Sequence, residues 1–441
     1  MPTTVNPIQT VSATARSSNV IVALMFALSV LSYVDRTAIS IAGPTLIKEF
    51  GFSETQMGSI YSMFILSYAL FMFPGGWLAD RYGPRLILAL TSMGAALFTA
   101  LTAFAGLPML AVTLGILPSF LLVRLGFGLC TAPLYPACGR LTANWFPVVS
   151  RARVQGLALS GAALGSAITP ILFSSLIVHF GWRVSLGLAA AATAAVSIIV
   201  YWQARDTPPR RTFEPELTPS ADATDTQTFQ KPEWRALLAN RNLLLLSAGY
   251  FALDYFEYIF FYWIYYYFGE VRHLGRDQSA IYTTVLLLTM MAMMPLGGWV
   301  ADRLIPRWGT HVSRRRVAVT GMVLSALLLY LGINITNTLL MVALLALALG
   351  LAASAEGPFW ASAIDAGGRQ AGAAGGLLNS VGNVGGLLAP TLTPYLAQHF
   401  GWTYGLHFGS LMVLLGAASW FLIHPAKNLI VVRPFEAKQP S

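Results

Sequence analysis

Charged side chains are scarce in this sequence. Only 10% of its 441 residues are Asp, Glu, Lys or Arg, whereas a soluble domain carries about 25%. Hydrophobic residues make up 56% of the chain. This composition excludes an ordinary soluble protein and indicates one that crosses a membrane many times. A charged residue inside an apolar segment is therefore costly and needs a partner or a role.

Groups typical of membrane enzymes, metal sites and pumps are also lacking. The six histidines show no metal-ligand spacing, and neither a nucleophile motif nor a GxxxxGK[ST] loop occurs. The only cysteines, Cys130 and Cys138, are eight residues apart on one predicted helix, about 12 Å and beyond disulfide reach. We therefore expect no enzyme activity, no metal, no cofactor and no ATP-driven transport.

Long apolar runs recur along the whole chain. A helix of about 20 residues crosses the ~30 Å hydrocarbon core of a bilayer. The sequence predicts twelve such spans, at Val20–Pro44, Gln56–Ala79, Leu86–Ala105, Leu110–Ala143, Val154–Phe180, Val184–Gln203, Leu243–Phe268, Ser279–Ala301, Val317–Ile333, Leu339–Ile364, Ala371–Phe400 and Tyr404–Ile423. We expect an all-α polytopic membrane protein whose fourth span, which contains Pro118, is tilted or kinked.

Lys and Arg are distributed unevenly between the two sides of these spans. One side, which includes both termini, holds most of the 27 basic residues, whereas the other holds only Lys48, Arg183, Arg272 and Arg276. The positive-inside rule assigns the richer side to the cytoplasm. We expect a monomeric multi-pass protein of the cell inner (plasma) membrane with both termini cytoplasmic. The net charge of +9 then requires no nucleic-acid partner.

The two halves of the chain repeat one another. Gly75–Arg81, GGWLADR, recurs as Gly297–Arg303, GGWVADR, at an offset of 222, and His179–Trp182 recurs as His399–Trp402. Two parallel six-helix repeats with a binding site between them are the architecture of many secondary transporters. We predict a cytoplasmic N-terminal tail, two pseudo-symmetric six-helix bundles joined by a cytoplasmic linker, and a C-terminal tail, at 1–18, 19–204, 205–240, 241–424 and 425–441.

Two arginines and an aspartate lie within spans of the first half. Asp35 and Arg36 are adjacent in the first span, and Arg124 lies at a similar depth in the fourth. A guanidinium can hold a carboxylate through two hydrogen bonds, so Arg36 and Arg124 are candidate anion ligands. Alternatively, Arg124 only pairs with Asp35. Asp35 is a candidate proton carrier, because burial and a neighbouring arginine act oppositely on its ionisation. Otherwise it is a structural partner of Arg36.

The second half contributes three acids within spans, which are functional candidates by default. Asp254 and Glu257 share a face of the seventh span, and Glu356 lies in the tenth, where Glu-Gly-Pro could instead mark a helix break near the surface. We assign all three to proton coupling. Trp263 belongs to an aromatic-rich stretch that could stack on a substrate, wall a gate or form an interfacial belt.

Uncharged polar side chains complete the predicted binding site. Asn379 and Asn383 share a face of the eleventh span, and Tyr33 and Tyr68 lie in the first two. Each could bind substrate hydroxyls or carboxylates, although the two amides could alternatively hold helices together.

A second set of charges lies where spans end on the predicted cytoplasmic side. A carboxylate there can engage the N-terminus of a neighbouring helix or an arginine, which would latch one half to the other. We interpret these residues as a conformational gate; they are Asp80, Arg81, Arg85, Asp302 and Arg303.

These motifs resemble a known family. Gly76-x-x-x-Asp80-Arg81-x-Gly83-x-Arg85 is similar to the loop signature of the major facilitator superfamily. Tyr33-Val-Asp35-Arg36, together with Arg124 and Asn379-x-x-Gly-Asn383, resembles its anion:cation symporter family. The resemblance implies a major facilitator fold and rocker-switch transport of organic anions, in many members with protons. One position differs from the pattern of this family. Many relatives carry Glu seven residues after the fourth-span arginine, where this chain has Thr131.

Together these observations predict a secondary transporter. We expect it to import a small organic anion, such as a sugar acid or another hydroxylated or aromatic carboxylate, by symport with protons across the lipid bilayer. Arg36 and Arg124 would bind the carboxylate, and Asp35 would carry the proton. Two alternatives stay open: transport of zwitterionic or cationic compounds, with drug export as the extreme case, and anion uniport or exchange.

Overall fold

The computed structural model describes residues 7–105, 115–208 and 234–423. All regular elements in these residues are helices, which confirms the all-α prediction. The predicted tail 425–441 lies outside the described residues, as do most of the predicted linker 205–240 and the start of the predicted tail 1–18.

The helices fall into two sets separated by the linker. The first set is α1 (Pro7–Phe50), α2 (Glu54–Tyr82), α3 (Pro84–Phe104), α4 (Ile116–Thr131), α5 (Leu134–Trp145) and α6 (Arg151–Gln203). The second set is α7 (Trp234–Ala239), α8 (Arg241–Tyr262), α9 (Arg276–Trp308), α10 (Thr310–Asn334), α11 (Thr338–Ala353), α12 (Glu356–Gly367), α13 (Ala371–Phe400) and α14 (Trp402–Leu422).

Ten helical segments of the described chain are long and apolar enough to cross a membrane. Two of them, Val148–Gln203 and Thr338–Phe400, contain two spans each, so the described residues hold twelve spans. Within α6 the direction changes at Gly181, whose φ of 78° is a left-handed conformation that favours glycine.

Two spans are broken near their middle. The fourth is divided into α4 and α5 at Ala132–Pro133, and the tenth into α11 and α12 at Ser354–Ala355. The fourth span is therefore interrupted near its middle, where the sequence prediction expected a tilt or a kink. Pro118 does not cause it, because it lies in the first turn of α4, where the missing N–H is tolerated. Cys130 and Cys138 consequently lie on different helices, and both are free thiols.

The glycine motifs lie where helices of opposite halves touch. Helix α2 packs against α13, and α9 packs against α6. Gly76 meets the backbone of Gly372, and Gly298 meets that of Ala152, so closely that a Cβ at either glycine would collide. Small residues let backbones approach where lipid removes the hydrophobic drive for association. The outer surface is apolar too: Ile171 is 72% exposed, as expected of a lipid-facing side chain.

Candidate functional site

A cavity lies between the two halves. Its polar lining comes from both repeats: Tyr33, Arg36, Tyr68 and Tyr135 from the first, and Tyr250, Asp254, Glu257, Tyr258, Glu356, Asn379 and Asn383 from the second. Most of the predicted binding residues therefore converge on one space, as a site between two repeats requires.

Arg36 is the cationic group of this cavity. Its guanidinium lies over the rings of Tyr33, Phe64 and Tyr68, at 5.1, 4.9 and 5.6 Å from their centroids. It donates to the hydroxyls of Tyr33 and Tyr258, both at 3.4 Å. Among the described residues, no carboxylate lies within 4.0 Å of it. Since a guanidinium has five N–H donors, several remain for an anion in the cavity.

Three carboxylates form the acidic group of the same cavity. Asp254 and Glu257 project from α8, and Glu356 is the first residue of α12. One carboxylate oxygen from each lies within 4.8 Å of those from the other two, and all three side chains are buried. Glu356 accepts a hydrogen bond from Tyr250 at 2.8 Å. Like charges buried this closely repel strongly, so the cluster requires protons or a cation.

The break in the tenth span explains the position of Glu356. A helix break does occur beside Glu356, but it lies inside the protein and not near the surface. The break ends α11 and starts α12 at the cavity wall, where Glu356 is 3% exposed. The positive end of the α12 dipole lies at its first turn, which favours a carboxylate there.

One tyrosine links the charged groups to the amides of α13. Tyr258 accepts from Arg36 and donates to Asn383 Oδ1 at 3.1 Å. Asn383 in turn donates to the carbonyl of Asn379 at 2.8 Å. The sequence prediction included Tyr258 only in the aromatic-rich stretch that could stack on a substrate or wall a gate, and did not select it as a binding residue. The helical period could have placed it at the site, because Tyr258 is four residues after Asp254 and shares its face of α8.

Asp35 and Arg124 do not line the cavity. Asp35 is 1% exposed and accepts a hydrogen bond from Thr193, in the second span of α6, at 2.7 Å. Arg124 is buried over Phe127, near enough to Asp35 for their charges to interact. Adjacent helical residues point about 100° apart. Arg36 therefore faces the cavity while Asp35 faces the interior of its own half, and the predicted two-arginine clamp is not assembled here.

Trp263 also lies away from the cavity. It follows the end of α8, where its ring packs against Trp402 at 5.4 Å and Tyr266 at 5.8 Å. This aromatic cluster fits the interfacial-belt alternative better than substrate stacking.

The repeated aspartates contact helix N-termini across the two halves. Asp80 accepts from the backbone N–H groups of Gly372 and Ala373, at 2.9 and 2.8 Å, where α13 begins. Arg140 lies 3.6 Å from Asp80. Asp302 accepts from the N–H of Arg153 at 2.8 Å, where α6 begins. These are the contacts expected of a latch between the halves, formed twice by the same motif.

The arginines of the predicted gate contact their own half. Arg81 and Arg303 lie over Trp77 and Trp299, at 5.2 and 5.5 Å from the ring centroids. Arg85 donates to the carbonyl of Tyr201 at 2.8 Å. None of these contacts joins the two halves.

An ion-pair network that the sequence prediction missed also joins the halves at this end. Asp365 of α12 accepts from Arg151, at the start of α6, and from Arg314 of α10 at 2.6 Å. Arg314 also donates to the carbonyl of Val148 at 3.0 Å. These partners are far apart in sequence and share no motif, so no local signal identifies them.

The comparisons with known proteins agree with this architecture. The family model "Major Facilitator Superfamily" matches residues 25–310 and 304–440. The chain belongs to the Major Facilitator Superfamily. This transporter is 28% identical to a probable sulfoacetate transporter, SauU, of Cupriavidus necator, over 92% of this chain and 94% of that one. It is also 28% identical to a hexuronate transporter of Bacillus subtilis, with the same coverage of each chain.

A solved structure shows the same fold in a more distant member. The superfamily transporter FucP, in an outward conformation, superposes with a TM-score of 0.69 at 15% identity, over 92% of this chain and 99% of that one. The comparisons confirm the predicted major facilitator fold and the resemblance to anion transporters of this superfamily. They also confirm that the protein is a transporter and not an enzyme.

Proposed function

We propose that this transporter imports a small organic anion together with protons by alternating access. The observation that supports it best is Arg36, which faces the cavity between the two halves without a carboxylate within 4.0 Å among the described residues. The relatives named for sulfoacetate and hexuronate transport indicate the same substrate class.

The anion would bind through its carboxylate to the guanidinium of Arg36, because two parallel N–H donors match a carboxylate edge. The hydroxyls of Tyr33 and Tyr258 lie beside that guanidinium. Asn379 and Asn383 line the second half of the cavity and offer amide groups to substrate hydroxyls. This polar set suits a hydroxylated acid.

The coupling protons would reside on the acidic cluster of Asp254, Glu257 and Glu356. These side chains line the cavity, whereas Asp35 is 1% exposed and does not line it. The Glu found in many relatives is replaced by Thr131, whose hydroxyl donates to the carbonyl of Phe127 in its own helix at 2.8 Å. The cluster from the second half would take over the function of that Glu. Asp35 would position α1 through Thr193.

Alternating access would depend on the contacts that join the halves. Asp80, Asp302 and Asp365 all bridge them at the predicted cytoplasmic end of the helices. Opening on that side requires all three sets of contacts to break. With them formed, the cavity would be closed toward the predicted cytoplasm, and substrate would enter from the other side. The basic residues at the same end support an inner-membrane protein with cytoplasmic termini.

Uptake into proteoliposomes tests this proposal. Labelled hexuronate and sulfoacetate would be supplied with and without an inward proton gradient, to the wild type and to Glu257→Gln. We expect the gradient to stimulate wild-type uptake and Glu257→Gln to lose that stimulation while retaining exchange. Glu49→Gln is the matched control, because Glu49 pairs with the half-exposed Arg183 far from the cavity. Equal uptake with and without the gradient would refute proton symport, and no carboxylate uptake would favour the amine or drug alternative.

A further inference from the structure

The cavity carries opposite charges on opposite walls. Arg36 belongs to the first half, and the acidic cluster belongs to the second. Tyr258 lies between them: its hydroxyl is 3.4 Å from Arg36, and it directly follows Glu257 on α8. Arg36 is also near enough to Asp254 for their charges to interact. An anion bound to Arg36 neutralises the charge of only one of these walls.

The acidic wall contains an unsatisfied acceptor. Oε1 of Glu257 is buried without a hydrogen-bond partner among the described residues, and the side chain is 3% exposed. An unpaired buried carboxylate oxygen is costly. The nearby acids cannot satisfy it as anions. A donor that enters the cavity with a positive charge would satisfy both the orphan oxygen and the repulsion within the cluster.

The three acids are close enough together to bind one primary ammonium group. An ammonium has three N–H donors in tetrahedral directions, and with charge-assisted bonds of about 2.8 Å its three acceptors lie about 4.6 Å apart. One carboxylate oxygen from each acid of the cluster lies within 4.8 Å of those from the other two. Aromatic rings of Tyr250, Tyr258 and Phe261 line the same cavity, and such rings attract organic cations.

We propose that the cavity recognises zwitterions, which are organic acids that also carry a protonated amine. The carboxylate binds Arg36, and the ammonium binds Asp254, Glu257 and Glu356. This assignment rests on the proposed function, because it uses the same carboxylate site. An acid without an amine leaves the cluster to protons, whereas a zwitterion brings its own positive charge. Zwitterion uptake therefore depends less on an inward proton gradient than uptake of the matched hydroxy acid.

Binding to the purified full-length protein tests the inference with matched pairs of ligands. Glucosaminate would be compared with gluconate, and γ-aminobutyrate with γ-hydroxybutyrate, by isothermal titration calorimetry. We expect the amine of each pair to bind about tenfold tighter or more, since a charge-assisted hydrogen bond is worth that factor. In Glu257→Gln and Asp254→Asn this ratio should fall toward one. Glu49→Gln should keep it, and thermal unfolding of each variant checks that it is folded.

The outcomes separate this inference from the proposed function. Equal or tighter binding of the hydroxy acids by the wild type would overturn the zwitterion assignment and leave anion transport standing. An amine preference that survives in both acid variants would also overturn it, because the cluster would not be the ammonium site. If neither member of any pair binds, the zwitterion assignment fails, and uptake of hexuronate or sulfoacetate alone decides whether the proposed function also fails.

Discussion

The two halves of this transporter are alike where they close and unlike where they bind. At the closing end, Asp80 and Asp302 occupy equivalent positions of the repeat and each caps a helix N-terminus of the other half. In the cavity, the same offset of 222 relates Arg36 to Tyr258, and these two side chains touch across the interface. A shared position therefore carries a cation in one half and a tyrosine in the other.

This difference shows which features of a duplicated unit are free to diverge. The closing contacts depend on backbone groups and small residues, and each repeat must retain these for its helices to pack in the same way. The cavity contacts depend on side chains that a substitution can change without moving a helix. The same offset relates Asp35 to Glu257, yet Asp35 is sealed inside its half while Glu257 lines the cavity. The two halves therefore share their helix packing, but they contribute different charged side chains to the cavity.

The largest expected effect comes from removing the cation of the first half. Arg36→Gln should reduce anion uptake to about 1% of wild type or less, because truncating one partner of a buried charge pair costs about 2–5 kcal/mol. Uptake of labelled hexuronate into proteoliposomes measures this. Arg183→Gln, at a half-exposed ion pair, is the control. Uptake by Arg36→Gln close to that of the control would mean that the cation of the first half does not bind the substrate.

The equivalent acids of the two halves should differ in their effect on stability. Asp35→Asn should lower the free energy of unfolding by about 2 kcal/mol, because Asp35 accepts from Thr193 and interacts with the buried Arg124. Glu257→Gln should leave it unchanged or raise it, because one of three repelling carboxylates is removed. Thermal unfolding in detergent compares them. Equal losses in both variants would refute the contrast between a structural and a cavity acid.

The two aspartates that join the halves at the closing end should instead respond alike to substitution. Asp80→Asn and Asp302→Asn should each shift the balance toward opening at the predicted cytoplasmic end by about tenfold, because each loses the interaction of a carboxylate with a helix N-terminus. Labelling of single cysteines placed in the cavity, with a reagent supplied from that side, measures the shift. A large effect from only one of the two would show that the latch is asymmetric.

The smallest expected effect is at the contact between the repeats. Tyr258→Phe should weaken anion binding by about threefold, because it removes the long 3.4 Å hydrogen bond that Arg36 donates and the one that Tyr258 donates to Asn383, but retains the ring. Calorimetry with gluconate measures the affinity. Tyr265→Phe, at a half-exposed ring just beyond the end of α8, serves as the control. Loss comparable to that of Arg36→Gln would make Tyr258 a principal ligand and not a bridge.

The sequence alone determined the helical spans, the duplication and the class of protein. These follow from local properties: a span requires a run of apolar residues, and the repeat of GGWLADR as GGWVADR is visible in the letters. The sequence also predicted that Asp80 would engage a helix N-terminus or an arginine, because a carboxylate at a helix end has few other partners. Arg36, Tyr33, Tyr68, Asn379, Asn383 and the three acids of the second half were likewise selected as polar groups within apolar spans.

Only the tertiary structure decided which of these groups share the cavity. Lipid-facing and buried surfaces are both apolar in a membrane protein, so the pattern of hydrophobicity does not reveal which way a helix faces. Adjacent residues could therefore be assigned to one site, as Asp35 and Arg36 were, although they point about 100° apart. Contacts such as Asp365 with Arg151, and the meeting of Asp254, Glu257 and Glu356, join distant parts of the chain. They exist only because α6, α8 and α12 pack where they do.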